Sequence, residues 1–384
     1  MAEQFVVVFK EEAFDTLGLM DMKSGVVEYL PPLPSNIRVA VLDEHYPERY
    51  YTAGYRGTLC FLAQVYSSAS DYVTSLVSYN STTGVYTEGV SDFAVALLAS
   101  IGVNGSYPEL GYDRITQNWS FEDQFGCWVW ATVTSGLDSP KYIFAVNIET
   151  FEIQLVHTLP YLALLYYSYE DVGMVTKDFV VMTDGGYGES KLYAKGNYSF
   201  PILDPDISAK HTVLGMNDGG TKALWHAVDG DDWQAYLIQS DLAAGTDSTF
   251  RMWFQNEGPT ALPDIVLANK EASELVWPSN ESVMWMGASG IVRTYSPPPS
   301  ENVWIGGLTY FSKHTDDIFF VAQKYEVGIY PLIVRRDGTI SDLGAMYPDA
   351  YTNGKSLEVI GTWDNTPAAP QRFWMQLVNT EEVI

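Results

Sequence analysis

The residue types best suited to metal binding or acid–base chemistry are scattered along this chain. Long stretches of sequence separate the five histidines, which are His45, His157, His211, His226 and His314. No two of them flank a glutamate at the four-residue spacing of a zinc-binding helix, and none stands beside a cysteine. A single histidine inside an apolar run, such as His226 in ALWHAV, is more typical of a hydrogen-bonded structural residue than of a ligand or general base.

Two acidic clusters have the oxygen ligands that a hard cation such as Ca²⁺ prefers. One contains Asp229, Asp231 and Asp232, and the other contains Asp204 and Asp206. Neither follows the spaced acidic pattern, ending in a distant glutamate, of a calcium-binding loop. Asp and Gly are ordinary turn residues, so a solvated hairpin turn is the favoured interpretation of the first cluster.

Motifs for nucleophilic catalysis and nucleotide binding are incomplete. The segment Gly287-Ala-Ser289-Gly290 is one residue short of a nucleophile elbow. The segment Gly185-Gly186-Tyr187-Gly188 lacks the third glycine and the helix of a dinucleotide-binding loop. A carboxylate pair for glycoside chemistry is defined by separation in space, so the sequence leaves it open. We assign no catalytic, cofactor-binding or metal-ligating residue, and no cofactor, from these patterns.

Tyrosines in loop-like segments are the remaining binding candidates. They are Tyr46, Tyr50, Tyr51, Tyr55, Tyr166, Tyr167 and Tyr169. Tyrosine stacks on sugars and anchors protein interfaces. Packing inside the fold is the favoured alternative where such residues alternate with polar ones.

The two cysteines lie in apolar runs, Cys60 in LCFLAQV and Cys127 in CWVWATV. Buried thiols that act as small hydrophobic side chains are the expected state. The sequence leaves open whether the two form a disulfide, but two cysteines in 384 residues are no disulfide framework.

The elements that would position these residues are short strands. Runs rich in Val, Ile, Tyr, Phe and Trp alternate with clusters of Gly, Asp, Asn, Ser and Pro, which is typical of antiparallel strands and turns. Eight strand–turn–strand copies follow one another, from FVVVF–LGLMDM–VVEYL, through VMWMG–IVRTYS–NVWIGG, to a last hairpin of LEVIGTW and RFWMQLV. Further runs, such as IRVAVL, HTVLGM, DIVLA and LTYFS, are predicted to supply a fourth strand for each copy.

In period and pattern the chain resembles a β-propeller of the kelch or WD-repeat layout, although no copy carries the repeat motif of a named family. We therefore predict an all-β fold, a β-propeller of seven or eight four-stranded antiparallel blades. Residues 1–384 would form a single domain, closed between the N-terminal strand at about 5–9 and the C-terminal hairpin at about 357–378. A pair of tandem β-sandwiches is the alternative.

Composition limits the classes of partner. With 21 Lys and Arg residues against 48 Asp and Glu, the net charge is −27, which disfavours binding to nucleic acid or anionic membranes. No apolar run reaches the ~20 residues of a membrane span. The opening MAEQFVVVFKEEAF lacks the pattern of a signal peptide.

The missing catalytic motifs and the loop SPPPSEN (296–302) favour a non-catalytic structural or protein-binding propeller. We predict that the protein binds protein partners as part of a larger assembly. An example would be a component of a virus or phage particle, such as a tail or adaptor protein. The predicted location is the virion, or otherwise the cytoplasm. The alternative is a carbohydrate-active propeller enzyme, a glycosidase or lyase with acidic residues in its central channel. The balance of these observations leans against an enzyme.

Overall fold

The structure is a computed structural model, and it describes part of the chain in several separate ranges. They are 4–10, 15–21, 27–39, 49–50, 52–55, 57–104, 109–110, 120–123, 125–135, 140–159, 170–184, 190–198, 209–216, 221–229, 235–241, 246–251, 267–268, 273–279, 282–287, 292–295, 303–304, 309–311, 318–324, 328–334, 339–342, 356–363 and 375–376.

Strands dominate the first half of the chain, as the runs of β-branched and aromatic residues predict. They are β1 (Gln4–Lys10), β2 (Asp15–Asp21), β3 (Val27–Tyr29), β4 (Ile37–Val39), β5 (Arg49–Tyr50), β6 (Thr52–Tyr55), β7 (Thr58–Ser68), β8 (Asp71–Asn80), β9 (Val85–Val90), β10 (Glu109–Leu110), β11 (Ser120–Asp123), β12 (Gly126–Thr134), β13 (Lys141–Asn147), β14 (Ile153–Leu159), β15 (Glu170–Val175), β16 (Phe179–Asp184) and β17 (Ser190–Ala194).

The second half continues in the same way. Its strands are β18 (Ala209–Met216), β19 (Lys222–Asp229), β20 (Ala235–Asp241), β21 (Thr246–Arg251), β22 (Leu267–Ala268), β23 (Glu274–Ser279), β24 (Ser282–Gly287), β25 (Val292–Tyr295), β26 (Val303–Trp304), β27 (Thr309–Phe311), β28 (Ile318–Lys324), β29 (Gly328–Val334), β30 (Ile340–Asp342), β31 (Ser356–Trp363) and β32 (Met375–Gln376).

These strands form antiparallel meanders in which neighbours in the chain are neighbours in the sheet. The meanders run β4–β7–β8–β9, β10–β12–β13–β14, β15–β16–β17, β18–β19–β20–β21, β22–β23–β24–β25 and β26–β28–β29–β30. A further sheet has the order β31–β1–β2–β3, and β5 pairs with β32. We call the strand that opens each meander its first strand, and β31 the first strand of the sheet that contains β1.

Three of the first strands are split. β4 and β6 both pair with β7, at opposite ends of it, and β10 and β11 share β12 in the same way. β26 and β27 likewise share β28. A split first strand lets the chain leave the sheet midway and return to the same edge.

The first strands of successive sheets lie side by side. β18 contacts both β15 and β22, β22 contacts β27, and β31 contacts β6. Neighbouring sheets therefore meet through their first strands.

The sheet containing β12 shows why the sheets stack. Alternate residues of a strand face opposite sides, and in β12 both sets are apolar. Cys127 and Val129 join a core shared with the sheet of β7, whereas Trp128 and Trp130 join one shared with the sheet of β16. A sheet buried on both faces needs a neighbour on each side, whereas the sheets of a simple β-sandwich keep one face in solvent.

One helix, α1 (Phe93–Ser100), occurs in the described part of the chain, between β9 and β10. Its buried residues Phe93, Leu97 and Leu98 join the core between two sheets. The sequence did not predict it, because the segment FAVALLAS is too short to show a helical period.

Two strand assignments made from the sequence were wrong. NVWIGG does not complete the sheet of VMWMG, because its β26 pairs with β28 of the next sheet. The sheet of VMWMG instead contains β23, which lies between β22 and β24. LEVIGTW provides β31, which pairs with β1, and the described part of RFWMQLV, β32, pairs with β5.

Candidate functional site

Few of the residues singled out in the sequence have described side chains. His45, His314, Asp204, Asp206, Asp231, Asp232, Ser289, 185–188, Tyr46, Tyr51, Tyr166, Tyr167 and Tyr169 lie outside the described residues. Tyr50 and Tyr55 belong to β5 and β6. Asp229 is the last residue of β19 and pairs with Ala209. His226 pairs with Thr212, the residue that follows His211 in β18.

His157 is the histidine whose surroundings are described in full, and they satisfy it completely. Its side chain is 1% exposed. Nε2 lies 2.7 Å from the carbonyl oxygen of Thr176, and Nδ1 lies 2.8 Å from the hydroxyl oxygen of Tyr198. A carbonyl can only accept, so Nε2 carries the proton and Nδ1 accepts from the tyrosine hydroxyl.

This environment keeps His157 neutral. Burial lowers the pKa of the imidazole, and Lys195 acts in the same direction, while the Thr176 carbonyl and Asp178 oppose the shift. Both ring nitrogens are used inside the fold, so neither can reach a substrate proton or a metal. The structural interpretation of this histidine from the sequence therefore holds.

Both cysteines are buried thiols that form no disulfide. Burial raises the pKa of the Cys60 thiol, against a smaller opposing hydrogen bond to the backbone of Phe61. A thiol kept protonated is a poor nucleophile, so Cys60 serves packing. The described residues contain no group of three or more His, Cys, Asp or Glu side chains that could hold a metal ion, and no helix among them is long and apolar enough to cross a membrane.

Carboxylate residues recur where first strands begin. Glu109 opens β10, Glu170 and Asp171 open β15, and Glu358 is near the start of β31. The β15–β16 register sets Glu170 opposite Asp184. Residues directly opposite in an antiparallel pair have Cα atoms about 4.5–5.5 Å apart, and like charges there are unfavourable.

An aromatic and cationic patch lies on the sheet of β7, toward the β7–β8 hairpin turn. The register pairs Arg38 with Gln64 and Tyr66 with Tyr72, which sets all four on one face of the sheet. The ring centroids of Tyr66 and Tyr72 are 5.2 Å apart, with the planes tilted by 44°. The Arg38 guanidinium carbon is 5.5 Å from the Tyr66 ring centroid.

We call these four residues the Tyr66–Tyr72 platform. The Tyr66 hydroxyl donates to Gln64 Oε1 at 2.8 Å, and Tyr72 is 44% exposed. The sequence search for loop tyrosines missed both rings because they stand inside strands. The sequence did contain a signal for this arrangement. Alternate residues of a strand face the same side, so Gln64 and Tyr66 of the run QVYSS share one face.

Comparison with known proteins supports a fold and no family. No protein-family model matches the chain, and no curated protein matches its sequence. The crystal structure of an oligogalacturonate lyase from Vibrio parahaemolyticus is similar with a TM-score of 0.50 at 10% identity, over 88% of both chains. Prolyl oligopeptidase B from Galerina marginata, bound to a 35mer hydrolysis and macrocyclization substrate, matches with the same TM-score at 8% identity, over 88% of this chain and 50% of that one.

These similar structures are of the β-propeller type. The chain itself is mostly β with one described helix, so the general fold predicted from the sequence is confirmed at that level. At such low identity the likeness concerns the fold alone.

The prediction of a non-catalytic virus or phage component is wrong. The fold is shared over 88% of both chains with a carbohydrate-active enzyme, oligogalacturonate lyase, and no comparison supports a virion or tail protein. The carbohydrate-active alternative from the sequence stays a hypothesis. The predicted protein partners and subcellular location stay predictions.

Proposed function

We propose that the chain is a single β-propeller in which the sheets opened by β4, β10, β15, β18, β22, β26 and β31 are the seven blades. The side-by-side first strands support this, because the first strand of each blade lines the axis of a propeller. Pairing of β31 with β1, from Gln4 with Trp363 to Lys10 with Ser356, would close the ring between the two ends of the chain.

The propeller is, in this proposal, a carbohydrate-active enzyme, a glycosidase or a lyase. Equivalent first strands run in the same direction in a propeller, so their starts converge at one end of the channel. Glu109, Glu170 and Glu358 would then stand around one mouth. The fold shared with oligogalacturonate lyase supports the reaction class as an analogy between folds.

The register of Glu170 opposite Asp184 carries the proposal. Glycosidases use two carboxyl groups about 5–5.5 Å apart for a nucleophile and acid, or about 6.5–9.5 Å apart when a water must fit between them. Opposite residues on paired strands start from a Cα separation within reach of either arrangement. Mutual repulsion also raises the proton affinity of one member of a close pair, as a general acid requires.

The neighbouring first strand adds a charge of the other sign. Lys210 stands near the start of β18, and β18 contacts β15. A positive charge near a carboxylate pair lowers the pKa of the nearer carboxyl group, which then stays ionised. In a lyase, the same groups would serve to neutralise a substrate carboxylate and to remove a proton beside it.

The test is a screen of the full-length protein on neutral and uronate-containing polysaccharides. Reducing ends report hydrolysis, and the ultraviolet absorbance of unsaturated products reports elimination. We expect one class of glycan to be cleaved, and Glu170→Gln to lower kcat by about 10²-fold or more, as loss of an acid or base does.

Glu152→Gln is the matched control, because Glu152 is exposed near the start of β14 and accepts a hydrogen bond from Gln154. It should leave cleavage unchanged. Absence of cleavage on every glycan, or equal rates for both variants, would refute the proposal.

A further inference from the structure

The Tyr66–Tyr72 platform has the composition of a small-ligand surface and not of a packed core. Next to the hairpin turn, this face carries side chains with polar tips, since Thr74 stands opposite Gln64 beside Arg38, Tyr66 and Tyr72. Farther from the turn, the same face continues into the core through the buried pair Leu62 and Leu76. The platform is therefore the polar-tipped end of this face, next to the hairpin turn.

The platform is held in place before any ligand arrives. Tyr66 is fixed by its hydrogen bond to Gln64 and by the Arg38 guanidinium over its ring. At the hairpin tip, Ser67 Oγ donates to a side-chain oxygen of Asp71 at 3.0 Å, which fixes the turn that carries Tyr72. A surface ordered by its own contacts loses little conformational entropy on binding.

We propose that this platform binds one sugar ring of a glycan chain, as an anchoring subsite beside the proposed catalytic carboxylates. The C–H face of a pyranose stacks on aromatic rings, and its hydroxyl oxygens accept from guanidinium and phenol donors. A pair of rings 5.2 Å apart offers an area of the size of one or two sugar units. This inference rests on the proposed function for the class of ligand.

The position in the fold agrees with an anchoring role. Arg38 belongs to β4, the first part of a first strand, and Tyr72 follows the turn at the same end of the sheet. If the first strands line the channel, this end of β4 and the start of β15 open on the same face. A glycan held at the hairpin could thus reach the carboxylates with its next units.

A protein partner fits the observations less well. A stable protein interface buries about 800 Å² on each side around a fully apolar centre, whereas the described platform is four polar-tipped side chains. Arg38 supplies one positive charge on a protein of net charge −27, so long-range repulsion at low salt disfavours a polyanion relative to a neutral glycan.

Calorimetric titration of full-length protein with neutral xylan oligosaccharides and with oligogalacturonides tests the proposal. We expect at least one of them to bind, and Tyr72→Ala to weaken that affinity about tenfold or more, because an exposed ring supplies stacking area without supporting the fold. Arg38→Gln should weaken binding as well, and by more for the acidic chain, with a salt dependence that the neutral chain lacks.

Tyr29→Ala is the matched control, since Tyr29 is 58% exposed on β3 of another sheet and should leave affinity unchanged. Equal affinities of Tyr72→Ala and wild type would overturn the platform, as would failure of both ligands to bind, which would favour a protein partner instead. Platform-dependent binding without cleavage of any glycan would refute only the enzymatic proposal. Cleavage of a glycan, together with equal affinities of wild type and Tyr72→Ala for it, would refute only the platform.

Discussion

At the level of single residues, His157 shows how burial turns a chemically versatile side chain into a structural one. Its neutral form donates to Thr176 and accepts from Tyr198, so protonation would convert an acceptor into a second donor. We predict that His157→Gln, which keeps one donor and one acceptor, costs about 1–2 kcal/mol of folding free energy at pH 8. The urea midpoint measures this, with the exposed neighbour substitution Thr158→Ala as a control near zero.

The same substitution should also change the pH dependence. Because burial lowers the pKa of folded His157 below its unfolded value of about 6.5, the unfolded chain binds the extra proton first. The histidine's contribution is complete above pH 6.5 and is lost as the pH falls toward the folded pKa. Stability of wild type relative to His157→Gln should therefore decline as the pH falls below about 6.5. A stability difference that stays constant as the pH is lowered would contradict the assigned neutral state.

The sequence predicts the structural role of His157 but not the residues that it contacts. A lone histidine in an apolar strand favours a structural role, and that prediction holds for His157. Its partners could not be read from the sequence, because Tyr198 lies 41 positions away and meets His157 only when two sheets stack. The Tyr66–Tyr72 platform was missed for a related reason, since it depends on the register of three strands.

At the level of elements, two successive sheets close equivalent turns in the same way. The Asn80 side chain accepts from the backbone N–H groups of Thr82 and Thr83, and Asn147 accepts from those of Glu149 and Thr150. The fifth residue of each turn has a positive φ, which is 67° at Gly84 and 59° at Phe151. Glycine adopts this conformation without strain, whereas a bulky residue does so at a cost of about 1 kcal/mol or more.

Phe151 is kept in that conformation by packing across the sheets. Its ring lies against Gly89 of β9 so closely that a Cβ at Gly89 would overlap it. We predict that Gly89→Ala costs about 1–3 kcal/mol, as overpacking does, and that the cost falls sharply in a Phe151→Gly background. A double-mutant cycle of urea unfolding measures the coupling. Additive effects of the two substitutions would show that the ring does not occupy the space above Gly89.

Strands, turns and their order could be predicted at this scale because period and turn chemistry are local. The FAVALLAS helix was not predicted, because eight residues are too few to show a helical period clearly. The misplaced NVWIGG strand shows the other limit: a short apolar run does not reveal whether it ends one sheet or opens the next. Only the pairing of β26 with β28 decides it.

At the level of the whole molecule, the pairing of β1 with β31 joins residues at opposite ends of the chain. The pattern of sheets with two apolar faces predicted a stacked arrangement, because no such sheet is stable alone. The sequence showed eight copies where the structure merges the first and the last into one sheet. A repeat split between the two termini has the pattern of a complete repeat at neither end, which is why it was counted twice.

That shared sheet gives the last prediction, which concerns closure. Val7 lies in the middle of β1, opposite Gly18 on one side and Val359 on the other. A proline there removes a backbone donor inside a sheet and should cost about 3 kcal/mol or more. In a closed ring every sheet depends on the seal, so Val7→Pro should speed hydrogen exchange in the distant strands β18 to β21 as well as in β1 and β31. The control is Glu28→Pro in β3, an exposed residue of a strand that pairs with β2 alone among the described strands, and it should affect its own sheet only. The proposed ring is refuted if Val7→Pro, like the control, speeds hydrogen exchange only in its own sheet, because the sheets would then form an open row.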